Sequence, residues 1–252
     1  MNEINFQKTY YLGDSYAVIK DRIIRKLNPY LNYPSLILFN DQDGSVVFQS
    51  ERLIPENSGK KPRVMLLFSN PHPHSIYRGM FLSPNTKNTP SLFWPIMAES
   101  GWLITEKDYT PAQLADICLK AEYQSPFELI FYCYYAFPSD YPEDLAKIFG
   151  KEYFNRYIEP DAKSEFYDVI KKEAIQAVLV FNKNIFNLVA VDRYDRYIKR
   201  LNQGDLLKSR IKNTGDKVPV FLTYPTGWCY HRLYRQYRVS SLSAIVKELL
   251  PD

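Results

Sequence analysis

Three polar stretches of this chain carry side chains able to do chemistry. The first is Ser69-Asn70-Pro71-His72-Pro73-His74-Ser75. An Asn amide can hold and orient a water, although it is a poor base. Histidine titrates near neutral pH, so His72 and His74 each have the chemistry of an acid, a base or a ligand. One His pair with no further Cys or His nearby is a weak metal motif. The second stretch, Tyr77-Arg78-Gly79-Met80-Phe81, adds an aromatic ring close to the first in sequence. The third is Pro225-Thr226-Gly227-Trp228, followed by Tyr230-His231-Arg232-Leu233-Tyr234-Arg235-Gln236-Tyr237-Arg238. Its basic groups alternate with aromatics, as phosphate tracking and base stacking require. The same run also reads as an amphipathic helix, with Leu233 and Tyr237 buried and Arg235 and Arg238 solvated.

The first and third stretches each follow an apolar run. Val64-Met65-Leu66-Leu67-Phe68 fits a buried parallel strand. Pro71 and Pro73 forbid its continuation and force a turn. Val218-Pro219-Val220-Phe221-Leu222-Thr223 has the same relation to the third stretch. Open α/β sheets place their ligand crevice at the carboxyl ends of such strands. Residues 127–135 and 177–181 read as two more core strands. Helices are expected near 91–100, 111–121, 142–149, 161–174, 184–201 and 242–250. Strands alternating with helices predict an α/β fold, a three-layer α/β/α sandwich with a mainly parallel sheet of about four core strands. Residues 1–62 read as an N-terminal addition packed on that core: a helix at 15–27, then a hairpin of 36–39 and 46–48 around Asp41-Gln42-Asp43-Gly44. The main domain is 63–252.

With 252 residues the chain can bury a sizeable core. Its net charge of +4 permits nucleic acid as a partner without demanding it. The 21 Tyr and 15 Phe suit base stacking, but most aromatics fill cores, which is the favoured account. Three Cys without metal spacing argue against a disulfide scaffold or a zinc site. The polar start predicts no secretory signal, and no apolar run reaches the roughly 18 residues of a membrane span. A cytoplasmic location is expected.

The order of these pieces resembles the uracil-DNA glycosylase superfamily, most closely its mismatch-specific uracil/thymine branch. That branch reads Gly-Ile-Asn-Pro-Gly, then a Ser, a Gly near an aromatic, a Pro-x-Asn, a Phe-Trp and a Ser-Gly-Leu. The matches here are Asn70-Pro71, Ser75, Gly79, Phe81, Pro84, Phe93-Trp94 and Ser100-Gly101. The family's second motif, Asn-Pro-Ser-Gly, is matched by Tyr224-Pro225-Thr226-Gly227.

The resemblance implies a glycosylase-like protein that flips a damaged or mismatched base and hydrolyses its N-glycosidic bond. It implies that Asn70 positions the water, while Ser69, Pro71 and Phe81 hold the base. His72, Ser75, Pro225, Thr226, Gly227, Trp228, Tyr230 and Arg232 then meet DNA, with Trp228 or Tyr230 as the wedge. No cofactor or metal is called for; duplex or single-stranded DNA is the expected partner, in repair, and no membrane is expected.

The chain departs from the pattern at Ser69 and His72, where the family has Gly, and at Tyr224 and Thr226. The superfamily often reads the uracil edge with an Asn near its second core strand. The corresponding stretch is Tyr132-Cys133-Tyr134-Tyr135, with no amide. Two alternatives therefore stay open: a non-catalytic nucleic-acid-binding or interaction protein on the same fold, and a hydrolase of free nucleosides or nucleotides.

Overall fold

The computed structural model describes residues 4–84, 91–104, 109–213, 218–225 and 232–250, the side chain of Arg232 excepted. The strands are β1 Asn5–Tyr11, β2 Ile37–Asn40, β3 Ser45–Leu53, β4 Arg63–Phe68, β5 Glu128–Cys133, β6 Ala177–Val180, β7 Leu207–Arg210 and β8 Pro219–Leu222. The helices are α1 Tyr16–Leu27, α2 Pro73–Arg78, α3 Phe93–Glu99, α4 Pro111–Leu119 and α5 Pro142–Phe149. They continue as α6 Lys151–Tyr153, α7 Glu159–Lys172, α8 Lys183–Val189, α9 Tyr197–Asn202 and α10 Arg232–Leu249.

One mixed sheet runs β1-β3-β5-β4-β6-β8-β7, with β2 also paired to β3. Its centre, β5-β4-β6-β8, is parallel. Every residue of β4, β5 and β6 is buried, which explains their unbroken apolar runs. Alternate residues face opposite layers. Met65, Leu67, Ile130 and Val178 pack towards α1, α5, α7 and α8. Leu66, Phe68, Phe131 and Leu179 pack towards α3, α4 and α10. The sheet therefore has helices on both faces. No helix among the described residues is long and apolar enough to cross a membrane.

Four features differ from expectation. Residues 5–11 form an edge strand paired along β3, because Phe6, Lys8 and Tyr10 alternate with their neighbours across a half-buried surface. The N-terminal segment thus supplies three strands of the same sheet, β3 joining antiparallel to β5. The expected 184–201 helix is two helices, since Ala190 turns extended to bridge Ile211. The unexpected β7 then closes the far edge antiparallel to β8. Finally, α10 begins at Arg232, and its Leu233 and Arg238 reverse the amphipathic reading. Leu233 is 53% exposed, whereas Arg238 is 1% exposed with its guanidinium 5.3 Å from the Phe181 ring.

The amino ends of β4 and β5 are fixed by a buried ionic cluster. The Arg63 guanidinium meets the Glu173 carboxylate at 2.6 Å and donates to the Pro55 carbonyl at 2.6 Å. The Glu128 carboxylate lies 3.6 Å away and accepts from Ser58. This leaves the opposite, carboxyl ends as the open side of the sheet.

Candidate functional site

β4 lies between β5 and β6, so the chain passes first to one side of β4 and then to the other. The loops diverge there, and a crevice forms at such a switch point. A cavity of about 260 Å³ fills it. Phe68, Ser69 and Asn70 reach it from β4, Cys133 from β5, Phe181 and Asn182 from β6, and Pro225 from beyond β8. Glu51 of β3 completes the wall. Drug-sized sites run to roughly 300–1,000 Å³, so this one suits a single flat ring. A larger concavity of about 670 Å³ lies between α1 and α5–α6, with no buried ionisable side chain in its lining.

The Asn70 loop is held rigidly. The β4–β5 ladder continues past the strands: Tyr134 N–H donates to Phe68 O at 2.9 Å, Tyr135 N–H to Ser69 O at 2.8 Å and Ser139 N–H to Pro71 O at 3.1 Å. Asn70 Nδ2 donates to the Ser139 carbonyl at 2.7 Å and lies 3.1 Å from its Oγ. A carbonyl only accepts, so this contact fixes which way the amide points. Asn70 Oδ1 accepts from Ser69 Oγ at 3.0 Å. A carbonyl oxygen has two lone pairs, which leaves one for a water.

The two histidines do different work. His72 caps α2: its Nδ1 accepts from His74 N–H at 3.1 Å. The neutral ring must then carry its proton on Nε2, which lies 3.2 Å from Asp140 Oδ1. Tyr30 donates to the same oxygen at 2.6 Å. Burial holds the His72 pKa below its usual value, against the opposite pull of Asp140. The ring is nonetheless about half exposed, at 47%. His74 is structural. Its Nε2 meets the Pro84 carbonyl at 2.8 Å and its Nδ1 the Tyr33 hydroxyl at 3.1 Å.

Gly79 ends α2 in the left-handed conformation, at φ 73°, and turns the chain back over the sheet. Phe81 thereby reaches the cavity. It is only 2% exposed, with ring centres 5.6 Å from both Phe68 and Phe131, and so forms part of a packed wall. Ser75 also lines the cavity. Phe93 is core, and Trp94 Nε1 donates to the Leu82 carbonyl at 3.4 Å.

Asn182 Oδ1 caps α8, accepting from Asn184 N–H at 2.8 Å and Ile185 N–H at 3.2 Å. Tyr224, at the place of the second-motif Asn, is buried, and its hydroxyl meets Asn202 Oδ1 at 2.5 Å. Thr226, Gly227, Trp228 and Tyr230, and the Arg232 side chain, lie outside the described residues. The expectation that Arg238 is solvated is corrected, because it is enclosed by the aromatic core; Arg235 stays at the surface, paired with Glu99.

Two ionisable residues escaped the sequence reading. Asp140 follows the Ser139 that Asn70 holds and lines the same cavity. Glu51 is 3% exposed, and its Oε2 has no hydrogen-bond partner among the described residues. Burial raises its pKa well above the usual carboxyl value. Burial likewise pushes up the Cys133 thiol, with Glu51 adding to the effect. Glu51 was findable: it stands two residues before Leu53, so in a strand both share the inward face. No group of three or more His, Cys, Asp or Glu among the described residues could hold a metal ion.

Neither protein-family models nor curated proteins offer a match to this chain.

Proposed function

We propose that this chain hydrolyses an N-glycosidic bond in DNA, drawing one extruded base into the cavity at the β4–β6 switch point. The observation that carries this is convergence. Asn70 and Phe81 follow β4 and Pro225 lies far along the chain after β8, yet all three line one base-sized cavity. The resemblance to uracil-DNA glycosylases supports the same assignment, including a glycosylase-like form of the α/β fold.

In this account Asn70 Oδ1 holds the water against the sugar. The C–N bond breaks, and the base leaves with the bonding electron pair. The water oxygen bonds to the sugar carbon, and its proton passes to Asp140. His72 and Tyr30 hold that carboxylate in place. The transition state is cation-like at the sugar, so position and charge do most of the work. The phenylalanine wall excludes bulk water from the base.

The test is a panel of duplex and single-stranded oligonucleotides carrying uracil, hypoxanthine, xanthine or mismatched thymine, with abasic sites scored by alkaline cleavage. Release from at least one lesion is expected. The second reading is a non-catalytic binding protein on the same fold. It is favoured by Tyr132–Cys133–Tyr134–Tyr135, which lacks the amide that the resembled family uses on a base edge. DNA binding without base release from any lesion would select it.

A further inference from the structure

We infer that Glu51 reads the edge of the inserted base, contributing one hydrogen-bond donor and one acceptor to an unsubstituted ring N–H and its neighbouring carbonyl. This rests on the cavity being a base site, and it names the substrate class: bases with a free lactam edge.

Four observations carry it. The first is burial without partners: Glu51 is 3% exposed, and Oε2 has no hydrogen-bond partner among the described residues. Buried polar groups are paired in nearly every native structure, so an unpartnered oxygen on a residue that lines the cavity needs a reason. The second is direction. Continuing the β3–β5 register one residue beyond the Arg52–Tyr132 pair sets Glu51 opposite Cys133. Both residues line the cavity.

The third observation is surroundings. Phe68, Phe81 and Phe181 line the same cavity and make an apolar wall. The other titratable groups in the lining are Cys133 on β5, His72 before α2 and Asp140 after β5. None of them is a cation held against the carboxyl, and burial alone accounts for the raised pKa. In its protonated form, which burial favours, a carboxyl offers an O–H donor and a C=O acceptor side by side. That pair matches a lactam edge. The O–H points to the base oxygen that gathers charge as the base leaves, and the C=O accepts from the ring N–H.

The fourth observation is spacing. β5 alone lies between β3 and β4, so Glu51 stands two strand spacings, about 10 Å, from the strand that leads into Asn70. A base between them would face Asn70 with its sugar-bearing side and Glu51 with its far edge. The position that lacks an amide near Cys133 is thus served from the neighbouring strand.

The experiment is binding of free methylated uracils to the full chain, followed by NMR titration at pH 6. 1-Methyluracil mimics the sugar-bearing base and keeps the lactam edge; 1,3-dimethyluracil loses its N–H. Wild type is expected to prefer 1-methyluracil by about 10- to 100-fold. Glu51→Gln keeps a donor and an acceptor, and its preference should stay within about threefold of wild type. Glu51→Leu should lose the preference, with thermal unfolding confirming that it is folded. Equal affinity of wild type for both ligands overturns the inference. So does Glu51→Leu that still discriminates, or wild type that is folded and binds neither. Base release is scored separately. Discrimination without release defeats the hydrolase reading alone, and release without Glu51-dependent discrimination defeats this inference alone.

Discussion

The Asn70 side-chain amide donates to the Ser139 carbonyl at 2.7 Å, tying the loop after β4 to the loop after β5. One residue therefore both locks the floor of the cavity and presents a free acceptor to it. Asn70→Ala should leave the Ser139 carbonyl short of its donor and cost about 1–3 kcal/mol of stability. Denaturant unfolding checks this. A midpoint equal to wild type would mean that the contact contributes nothing.

Glu51→Gln should stabilise the fold by about 1–3 kcal/mol, because an amide is buried at lower cost than a carboxyl that can ionise. The sign with pH follows from the direction of the shift. The folded-state pKa lies well above the ordinary carboxyl value of 4.5. The folded protein thus binds more protons, and wild-type stability falls as pH rises from about 4.5 through the raised folded value. The gap between Glu51→Gln and wild type should widen over that window. A gap independent of pH would place Glu51 in an ordinary solvated setting.

His72 moves the other way. Its folded pKa lies below the ordinary imidazole value of 6.5, so its contribution is present above that pH and fades as pH falls through the folded value. Protonation of Nδ1 would also end its acceptance from His74 N–H, removing the cap of α2. An NMR titration of the ring should give a midpoint below 6.5. A midpoint above it would mean that Asp140, not burial, dominates.

Arg63→Ala should cost about 3–5 kcal/mol, because it leaves the buried Glu128 without its cation and the half-buried Glu173 without its nearest one. The cluster sits at the amino ends of β4 and β5, away from the cavity. Binding of 1-methyluracil by the fraction that remains folded should be unchanged. A stability loss below about 1 kcal/mol would contradict the buried network.

The four parallel strands were legible because each is a short apolar run buried on both faces. Asn70 was legible because Pro71 marks where the chain must leave its strand; Phe81 was picked out by its place in the resembled pattern. β1 was missed because Asn5, Gln7 and Lys8 make it look solvated, although Tyr10 packs edge-on to Phe149. The split between α8 and α9 was missed because their apolar residues keep a helical spacing. The break comes from the long-range bridge of Ala190 to Ile211, which has no local signal. Arg238 and Glu51 were missed for one reason: charge normally marks solvent. Arg238 is instead enclosed by Phe93 and Phe181, and Glu51 faces a cavity.

The most direct measurement is single-turnover base release from the lesion preferred in the oligonucleotide panel, comparing wild type with Asn70→Ala while DNA binding is followed in parallel. Misplacing a reacting group by about 1 Å can cost 10²-fold, so a turnover loss of roughly 10²-fold or more is expected, with affinity nearly unchanged. Equal release rates for the two proteins would remove Asn70 from the chemistry and contradict the account.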